Sequence, residues 1–420
     1  MKNKKKKLLN KKCFSLFIKI IFIIYLLIIF NNLLIQLNKS QIYLKEYQAS
    51  VFPEIESFEK NINLSLKVFN GFRQINSENK LIEENTKFEI SKNPDISIIM
   101  TIHNEDHILH KGIRSIQNQS LKNIEIIIID DFSEDNSSEI IKEYQKEDPR
   151  ILLISHNTNE GKIKSRSDGI KIAKGKYITL IDGDDAFAHK DILKNSLFIA
   201  KKADLDAVEF PGAIFYGGRI GKIIYNYGAL NISQIIYQPE LRTIFIVERN
   251  KNIFVLKNRV IWGKLIRNEL FQKILKYIGP KYTEDYINDA EDVIMSLSLY
   301  HLAKSYYVMK EIGYYYTFLQ GRRKSSIKKI RKNNSKIKEE YGRFKLIKFL
   351  MEKSNGDEKE KSAVFYEIAV ISHHYYFTDK SIYLTIIHIY DKILEWGNLN
   401  IEQKKYIISL KNKALQKMNK

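Results

Sequence analysis

The 420-residue chain contains a single cysteine, Cys13. One thiol makes no intrachain disulfide, no four-cysteine zinc site and no redox pair, so disulfide-stapled and zinc-finger architectures are excluded. Two familiar nucleotide cradles are missing as well. No G-x-G-x-x-G follows the first strand-like run, which argues against a dinucleotide oxidoreductase, and no G-x-x-x-x-G-K-[ST] occurs. Zinc-ligand spacing and aromatic-plus-basic RNA motifs are absent, so the formal charge of +20 does not point to nucleic acid. There is no internal repeat and no low-complexity tract beyond one lysine run. What is present is a composition 44% hydrophobic and 28% charged, ordinary for a globular protein with a large core.

Much of the positive charge is local. Seven of the first twelve residues are lysine, and a second basic cluster lies between Arg322 and Lys353. After the first cluster, Phe14 to Leu37 is a 24-residue greasy segment, uninterrupted from Ile20 to Phe30. About 20 mostly apolar residues span a bilayer as a helix. Lys19 sits near the basic end, where its stem can snorkel. Asn31, Asn32, Gln36 and Asn38 follow with no small-x-small cleavage pattern. A retained single-pass anchor is therefore expected, with a cleaved signal peptide or a buried helix as alternatives. The lysines favour a cytosolic amino terminus; a eukaryotic cell would place such a protein in the Golgi or ER membrane. The expected division is a tail at 1–13, an anchor at 14–37, a stem at 38–92, one large domain at 93–326 and a helical region at 327–420.

From Asp95 the pattern alternates. "ISIIM" (Ile96 to Met100), "IEIIIID" (Ile124 to Asp130), "RILLIS" (Arg150 to Ser155) and "KYITLID" (Lys176 to Asp182) read as buried strands. Between the first two, Ile108, Leu109, Ile113 and Ile116 recur at helical spacing. Ser133 and Asp135 offer caps for a second helix, and "EGKIKSRSDGIKIAKG" reads as a third, closed by Gly175. Strands alternating with helices predict an α/β fold with a mostly parallel sheet and right-handed crossovers.

Two of these strands end in acids: Asp130-Asp131, and Asp182 with Asp184-Asp185 across Gly183. In open parallel sheets ligands bind beyond the carboxyl ends of the strands, so both clusters should face one crevice. Crowded carboxylates repel unless a cation compensates. Hard Mg²⁺ or Mn²⁺ takes carboxylate oxygens and keeps positions open for phosphate. A nucleotide held through such a metal is the reading that survives; helix capping and turn formation by the same aspartates is the bland alternative.

With these residues laid out, "DISIIMTIHNEDHILHKGIRSIQNQSLKNIEIIIIDDFSEDNS" followed by "NEGKIKSRSDGIKIAKGKYITLIDGDDAF" resembles the inverting family 2 glycosyltransferases of GT-A fold. The likeness is close from Pro94 to Phe187 and looser to about Ser326. It implies that Thr101 and His103 lie where the family holds uracil and ribose, although Tyr usually stands at His103. By the same likeness Asp131, with Asp130 beside it, matches the carboxylate that contacts the nucleotide base. Arg166 matches an arginine near the nucleotide. Asp182 and Asp184 form the D-x-D motif, and Asp184 and Asp185 are the expected metal contacts for Mn²⁺ or Mg²⁺. "DAEDVIMSLSLY" is similar to the Glu-Asp segment that carries the catalytic base, implying Asp292 as base with Glu291 assisting; Glu284-Asp285 is the rival pair. "VIWGKLIRNELF" and Lys324, where processive synthases have Trp, imply a non-processive enzyme.

The implied activity is transfer from a nucleotide-sugar donor, with a UDP-sugar expected, to a glycan, lipid or protein acceptor at the membrane. A non-catalytic nucleotide-sugar or glycan-binding protein on the same fold is the alternative. The carboxy-terminal hundred residues carry an apolar stripe (Ile382, Ile386, Ile387, Tyr390, Ile393, Leu394) that predicts a helical appendage. His373-His374, about 100° apart on a helix, read as structural.

Overall fold

A computed structural model describes residues 88–418, except 217–218, 221–234, 239–240, 242–244, 251–252, 257–258, 289–290, 319–332, 354–359 and much of 362–400. The expected anchor at 14–37, the stem up to residue 87, Lys324 and His373-His374 lie outside the described residues, as do Ile382, Ile386 and Ile393 of the apolar stripe. No described helix is long and apolar enough to cross a membrane.

Four strands open the fold: β1 (Ile96–Ile102), β2 (Ile124–Asp130), β3 (Ile151–Ser155) and β4 (Tyr177–Asp182). They lie parallel in the order β3-β2-β1-β4, so β1 is covered on both edges. All seven β1 residues are buried. That is why its sequence is a near-continuous apolar run rather than an alternation. Pleating sends Ile98 and Met100 to one face and Ile99 to the other.

The crossover helices cover both faces. Leu109, Ile113 and Ile116 of α1 (Leu109–Gln117) pack with Ile98 and Met100, as do Ile141 and Tyr144 of α2 (Ser137–Glu147). On the opposite face, Ile163 and Ile170 of α3 (Lys162–Ile172) pack against Ile99, Ile127 and Ile129. Gly175 does not close α3. The helix ends at Ile172 with extended Ala173 as its cap. Gly175 instead lets the chain pass β1: a Cβ there would stand 2.4 Å from the Ser97 amide nitrogen. Its own N–H donates to Ser97 Oγ at 2.8 Å.

Beyond β4 run β5 (Ala186–Phe187), α4 (Ile192–Lys202), β6 (Ala207–Glu209), β7 (Gly212–Tyr216), β8 (Arg219–Ile220) and β9 (Ile236–Tyr237). A short ribbon, β10 (Ile246–Asn250) with β11 (Ile253–Leu256), precedes β12 (Lys264–Arg267). There follow α5 (Asn268–Ile278), α6 (Pro280–Thr283), α7 (Glu291–Leu302), β13 (Ser305–Val308) and β14 (Tyr314–Phe318). The main sheet reads β3-β2-β1-β4-β12-β6-β13-β9. β12 runs antiparallel between β4 and β6, so the sheet is mostly but not wholly parallel. A second sheet, β5-β14-β7-β8, stands over the carboxyl end of β4.

Toward the carboxyl terminus the described residues include two long helices, α8 (Asn333–Lys353) and α9 (Ile401–Met418). Leu346, Ile347, Phe349 and Leu350 of α8 belong to the same apolar cluster as Ile294 of α7 and Ile274 of α5. Phe349 meets Tyr282 edge-on at 5.2 Å. The α8 contribution is thus part of the main core.

Candidate active site

The register fixes where the acids emerge. Thr101 on β1 pairs with Asp182 on β4, and Ile102 pairs with Asp130 on β2. Two strand spacings, roughly 10 Å, therefore separate the two acidic strand ends on one rim. Both exits are tied to β1: Gly183 N–H donates to the Thr101 carbonyl at 3.2 Å, and Asp131 N–H to the Ile102 carbonyl at 2.9 Å.

After β4 the chain turns back, with Asp185 N–H bonded to the Asp182 carbonyl at 3.1 Å. The turn gathers Asp182, Asp184 and Asp185 so that each offers an oxygen within 4.8 Å of the others. The second sheet holds this turn in place. Tyr314 donates its hydroxyl to Asp185 Oδ2 at 2.8 Å and accepts the Asp182 N–H at 3.2 Å. Thr317 N–H donates to Asp185 Oδ1 at 2.8 Å. Tyr314 is itself fixed by stacking on Trp262, 4.6 Å between ring centres and 12° from parallel.

Helix α3 brings two cations to the same place. Arg166 donates through Nη2 to Asp182 Oδ1 at 2.8 Å. Through Nη1 it reaches Glu291 Oε1 at 2.9 Å and Asp292 Oδ1 at 2.5 Å. Four residues earlier, on the same helix face, Lys162 Nζ donates to Asp182 Oδ2 at 3.2 Å. Glu291 and Asp292 occupy the first turn of α7, where the helix dipole favours carboxylates.

Electrostatics follow from this packing. Burial alone would raise the Asp182 carboxyl, yet Lys162 and Arg166 hold it well below the usual range. Asp185 goes the other way, pushed well up by burial and then by Asp184 and Asp182. Burial raises Glu291 to about 7, with Arg166 opposing and Asp292 reinforcing. Burial draws the Lys111 ammonium down to about 8 against the pull of Asp185 and Asp184. Six carboxyl groups (Glu105, Asp182, Asp184, Asp185, Glu291, Asp292) meet three cations (Lys111, Lys162, Arg166), so the fully ionised cluster carries net negative charge. The donor set, oxygen only, fits a hard divalent cation, with Asp182, Asp184 and Asp185 as the residues to hold it.

The β2 side of the rim is built differently. Asp131 accepts the Glu160 N–H on Oδ1 and the Gly161 N–H on Oδ2, both at 2.8 Å, and its Oδ1 lies 2.8 Å from His156 Nδ1. Asp130 accepts from Ser133 N–H at 3.0 Å and from the Ser138 hydroxyl, ordering the entry to α2. His103 Nδ1 lies 2.8 Å from the Asp131 carbonyl oxygen, and its ring is exposed. Thr101 Oγ1 is buried without a hydrogen-bond partner among the described residues. Of the expected residues, then, Arg166 joins Asp182 to Glu291 and Asp292, and Asp184 and Asp185 complete that cluster. His103, Asp130 and Asp131 share the rim on its β2 side, and Thr101 lies on β1 between the two. The rival Glu284 pairs with Lys171 and Lys164, and Asp285 with Lys345, away from the acidic turn.

Lys111, Lys162, Tyr314 and Thr317 carried no role in the sequence reading, and Glu105 entered it only with Asn104 as part of the family likeness, without a role. Lys162 could have been found, since it precedes Arg166 by one helical turn. Tyr314 and Thr317 could not, because only the strand pairing of β14 carries them to Asp185.

An open α/β sheet with an acidic rim and a metal-suited turn after β4 is the architecture of the GT-A fold. Residues 97–274 match the glycosyl transferase family 2 pattern. Over 225 residues the chain is 30% identical to the uncharacterised glycosyltransferase EpsJ of Bacillus subtilis, covering 53% of this chain and 61% of that protein. Over 204 residues it is 38% identical to glycosyltransferase GlyG of Streptococcus pneumoniae, covering 45% and 62%. The chain thus spans less than two thirds of either relative. A crystal structure of S. aureus TarS in complex with UDP superposes with a TM-score of 0.50 at 15% identity, over 77% of this chain and 89% of that one; the likeness is one of fold.

Proposed function

We propose that the chain is a metal-dependent, inverting glycosyltransferase. It takes a sugar from a nucleotide-sugar, a UDP-sugar first among the candidates, and passes it to an acceptor hydroxyl with Asp292 as general base. One observation carries this reading: a single buried guanidinium, Arg166, bonds the metal-side acid Asp182 on one hand and Glu291 with Asp292 on the other.

The two ends of that bridge suit two tasks. A divalent cation bound at the acidic turn would neutralise charge on the departing diphosphate. Asp182, Asp184 and Asp185 would hold that cation, and Lys162 stands beside them as a further positive charge. On the β2 side, Asp131 Oδ2 accepts one hydrogen bond where a carboxylate oxygen has room for two, which suits a nucleobase N–H. At the other end, the Asp292 side chain is 23% exposed and Glu291 only 6%, so Asp292 is the one an acceptor can reach. Asp292 takes the proton from the acceptor hydroxyl. The hydroxyl oxygen bonds to the anomeric carbon as the sugar–phosphate bond breaks on the opposite face, which inverts the centre. One base suffices, and no sugar becomes attached to the protein.

The acceptor is a hydroxyl of a glycan, lipid or protein, and the greasy segment at 14–37 would keep the enzyme at a membrane. Digestion of sealed vesicles by protease tests the orientation: protection of the carboxy-terminal region is expected. The activity is tested by offering the full chain a panel of nucleotide-sugars with Mn²⁺ and with EDTA. Nucleotide release or transfer with at least one donor, lost in EDTA, is the expected result; silence with every donor would leave the binding-only alternative in its place.

A further inference from the structure

Glu105 stands in the loop after β1, four residues before α1, and none of the roles above uses it. Its carboxyl group points at the acidic turn. A Cβ on Gly183, in the middle of that turn, would stand 2.1 Å from Glu105 Oε2, so the oxygen sits against the bare glycine Cα. That Oε2 is closed off from solvent and has no hydrogen-bond partner among the described residues. A buried carboxylate oxygen left unbonded costs about 1–3 kcal/mol or more, so such an atom calls for a partner the protein itself does not supply. Burial first, and then the charges of Asp184, Asp182 and Asp185, push this carboxyl well above the usual range, with Lys162 opposing them.

We propose that Glu105 is a fourth carboxylate of the cation site, accepting a hydrogen bond from a water carried by the metal. Direct ligation does not fit, because Glu105 stands outside the group of three whose oxygens lie within 4.8 Å of one another. A gap of that kind between polar groups is one a water bridges. Mg²⁺ in particular keeps several waters when bound by one or two carboxylates, and those waters need acceptors fixed in the protein. Glu105 supplies one from β1's side of the turn, opposite Tyr314 and Thr317, which hold Asp185 from the second sheet. The glycine at 183 is then explained by the carboxyl that occupies its side-chain space.

This assignment rests on the metal-dependent reading above, and its test separates the two. Mn²⁺ is titrated into the full chain with saturating UDP, and the free ion is followed by its electron paramagnetic resonance signal. The unmodified chain, Glu105→Gln and Asp184→Ala are compared, with melting temperatures in EDTA and in Mn²⁺. Glu105→Gln keeps the shape and replaces the carboxyl group by an amide that cannot ionise. Partners that act through a bound ligand typically cost 10–100-fold in metal affinity when removed, and a loss in that range is expected here. Its melting temperature in EDTA should equal or exceed that of the unmodified chain, while the rise on adding Mn²⁺ should shrink. A Glu105→Gln affinity within twofold of the unmodified chain, with Asp184→Ala abolishing binding, would overturn the role of Glu105 and leave the metal site standing. A lower melting temperature in EDTA with unchanged affinity would overturn it too, showing Glu105 to be structural. No Mn²⁺ binding by the unmodified chain would remove the metal reading and this assignment together.

Discussion

Arg166 donates through Nη2 to Oδ1 of Asp182 at 2.8 Å, fastening helix α3 to the end of β4 with 2% of the arginine side chain exposed. Buried in this way, the guanidinium serves both as a strut and as the charge that lets neighbouring carboxylates remain ionised. Removing one partner of a buried ionic group leaves the others uncompensated, typically at 3–5 kcal/mol. Arg166→Met should therefore lower stability by about that much in urea denaturation. Arg166→Lys should fall between, because one ammonium cannot span Asp182 and the Glu291-Asp292 pair as the fork does. A loss under about 1 kcal/mol for Arg166→Met would mean the bridge is not a structural element.

The difference in exposure between the two acids of α7 predicts a difference in kinetics. Asp292→Asn should cut turnover by about 10²–10⁴ while leaving UDP affinity nearly intact, the mark of a lost general base. Glu291→Gln should retain far more activity, since the carboxyl of Glu291 is buried and held near half-protonation at neutral pH. Steady-state rates and calorimetric UDP binding measured side by side decide this; near-normal turnover in Asp292→Asn takes the base role from that residue.

At the acidic turn, loss of one oxygen donor should act on binding before it acts on chemistry. Asp184→Ala, or EDTA added to the unmodified chain, should abolish the Mn²⁺-dependent part of UDP binding. Fluorescence or calorimetric titration reads it directly. Equal UDP affinity with and without Mn²⁺ would detach the turn from nucleotide binding.

Lys111 gives a pH signature whose sign is fixed. Burial lowers its ammonium to about 8, against an ordinary lysine value of 10.5. Between those values the unfolded chain holds the proton more tightly, so this group makes the folded state more stable as pH rises. Below about 8 both states are charged and its cost stays constant. Lys111→Met lacks the effect. Urea midpoints in EDTA at pH 7.5 and 9.5 should therefore show the unmodified chain gaining about 1–2 kcal/mol relative to Lys111→Met. A parallel dependence for both proteins would show that the ammonium is as well solvated folded as unfolded.

The parts of the fold set by local pattern were readable beforehand. β1, β2 and β4 appear where β-branched runs predicted them, and α1 buries Leu109, Ile113 and Ile116 as their spacing required. The antiparallel insertion of β12 between β4 and β6 was not readable, because strand order depends on long-range pairing that no local period encodes. Gly175 was misjudged for a related reason: a helix stop and a close backbone approach both call for glycine, and only the position of Ser97 tells them apart. The same limit applies to the site. Acid-tipped strands announced Asp182, Asp184 and Asp185, whereas Tyr314, over a hundred residues later, reaches Asp185 only through the second sheet.

If the turn after β4 grips a divalent cation at a nucleotide diphosphate, the ion itself can be located there. Crystals of the full chain grown with Mn²⁺ and UDP, with data collected at the manganese edge, would locate the ion by its anomalous signal. A peak bounded by Asp182, Asp184 and Asp185 and beside the diphosphate is expected. A bound UDP with no manganese at that turn, or manganese elsewhere on the protein, would contradict it.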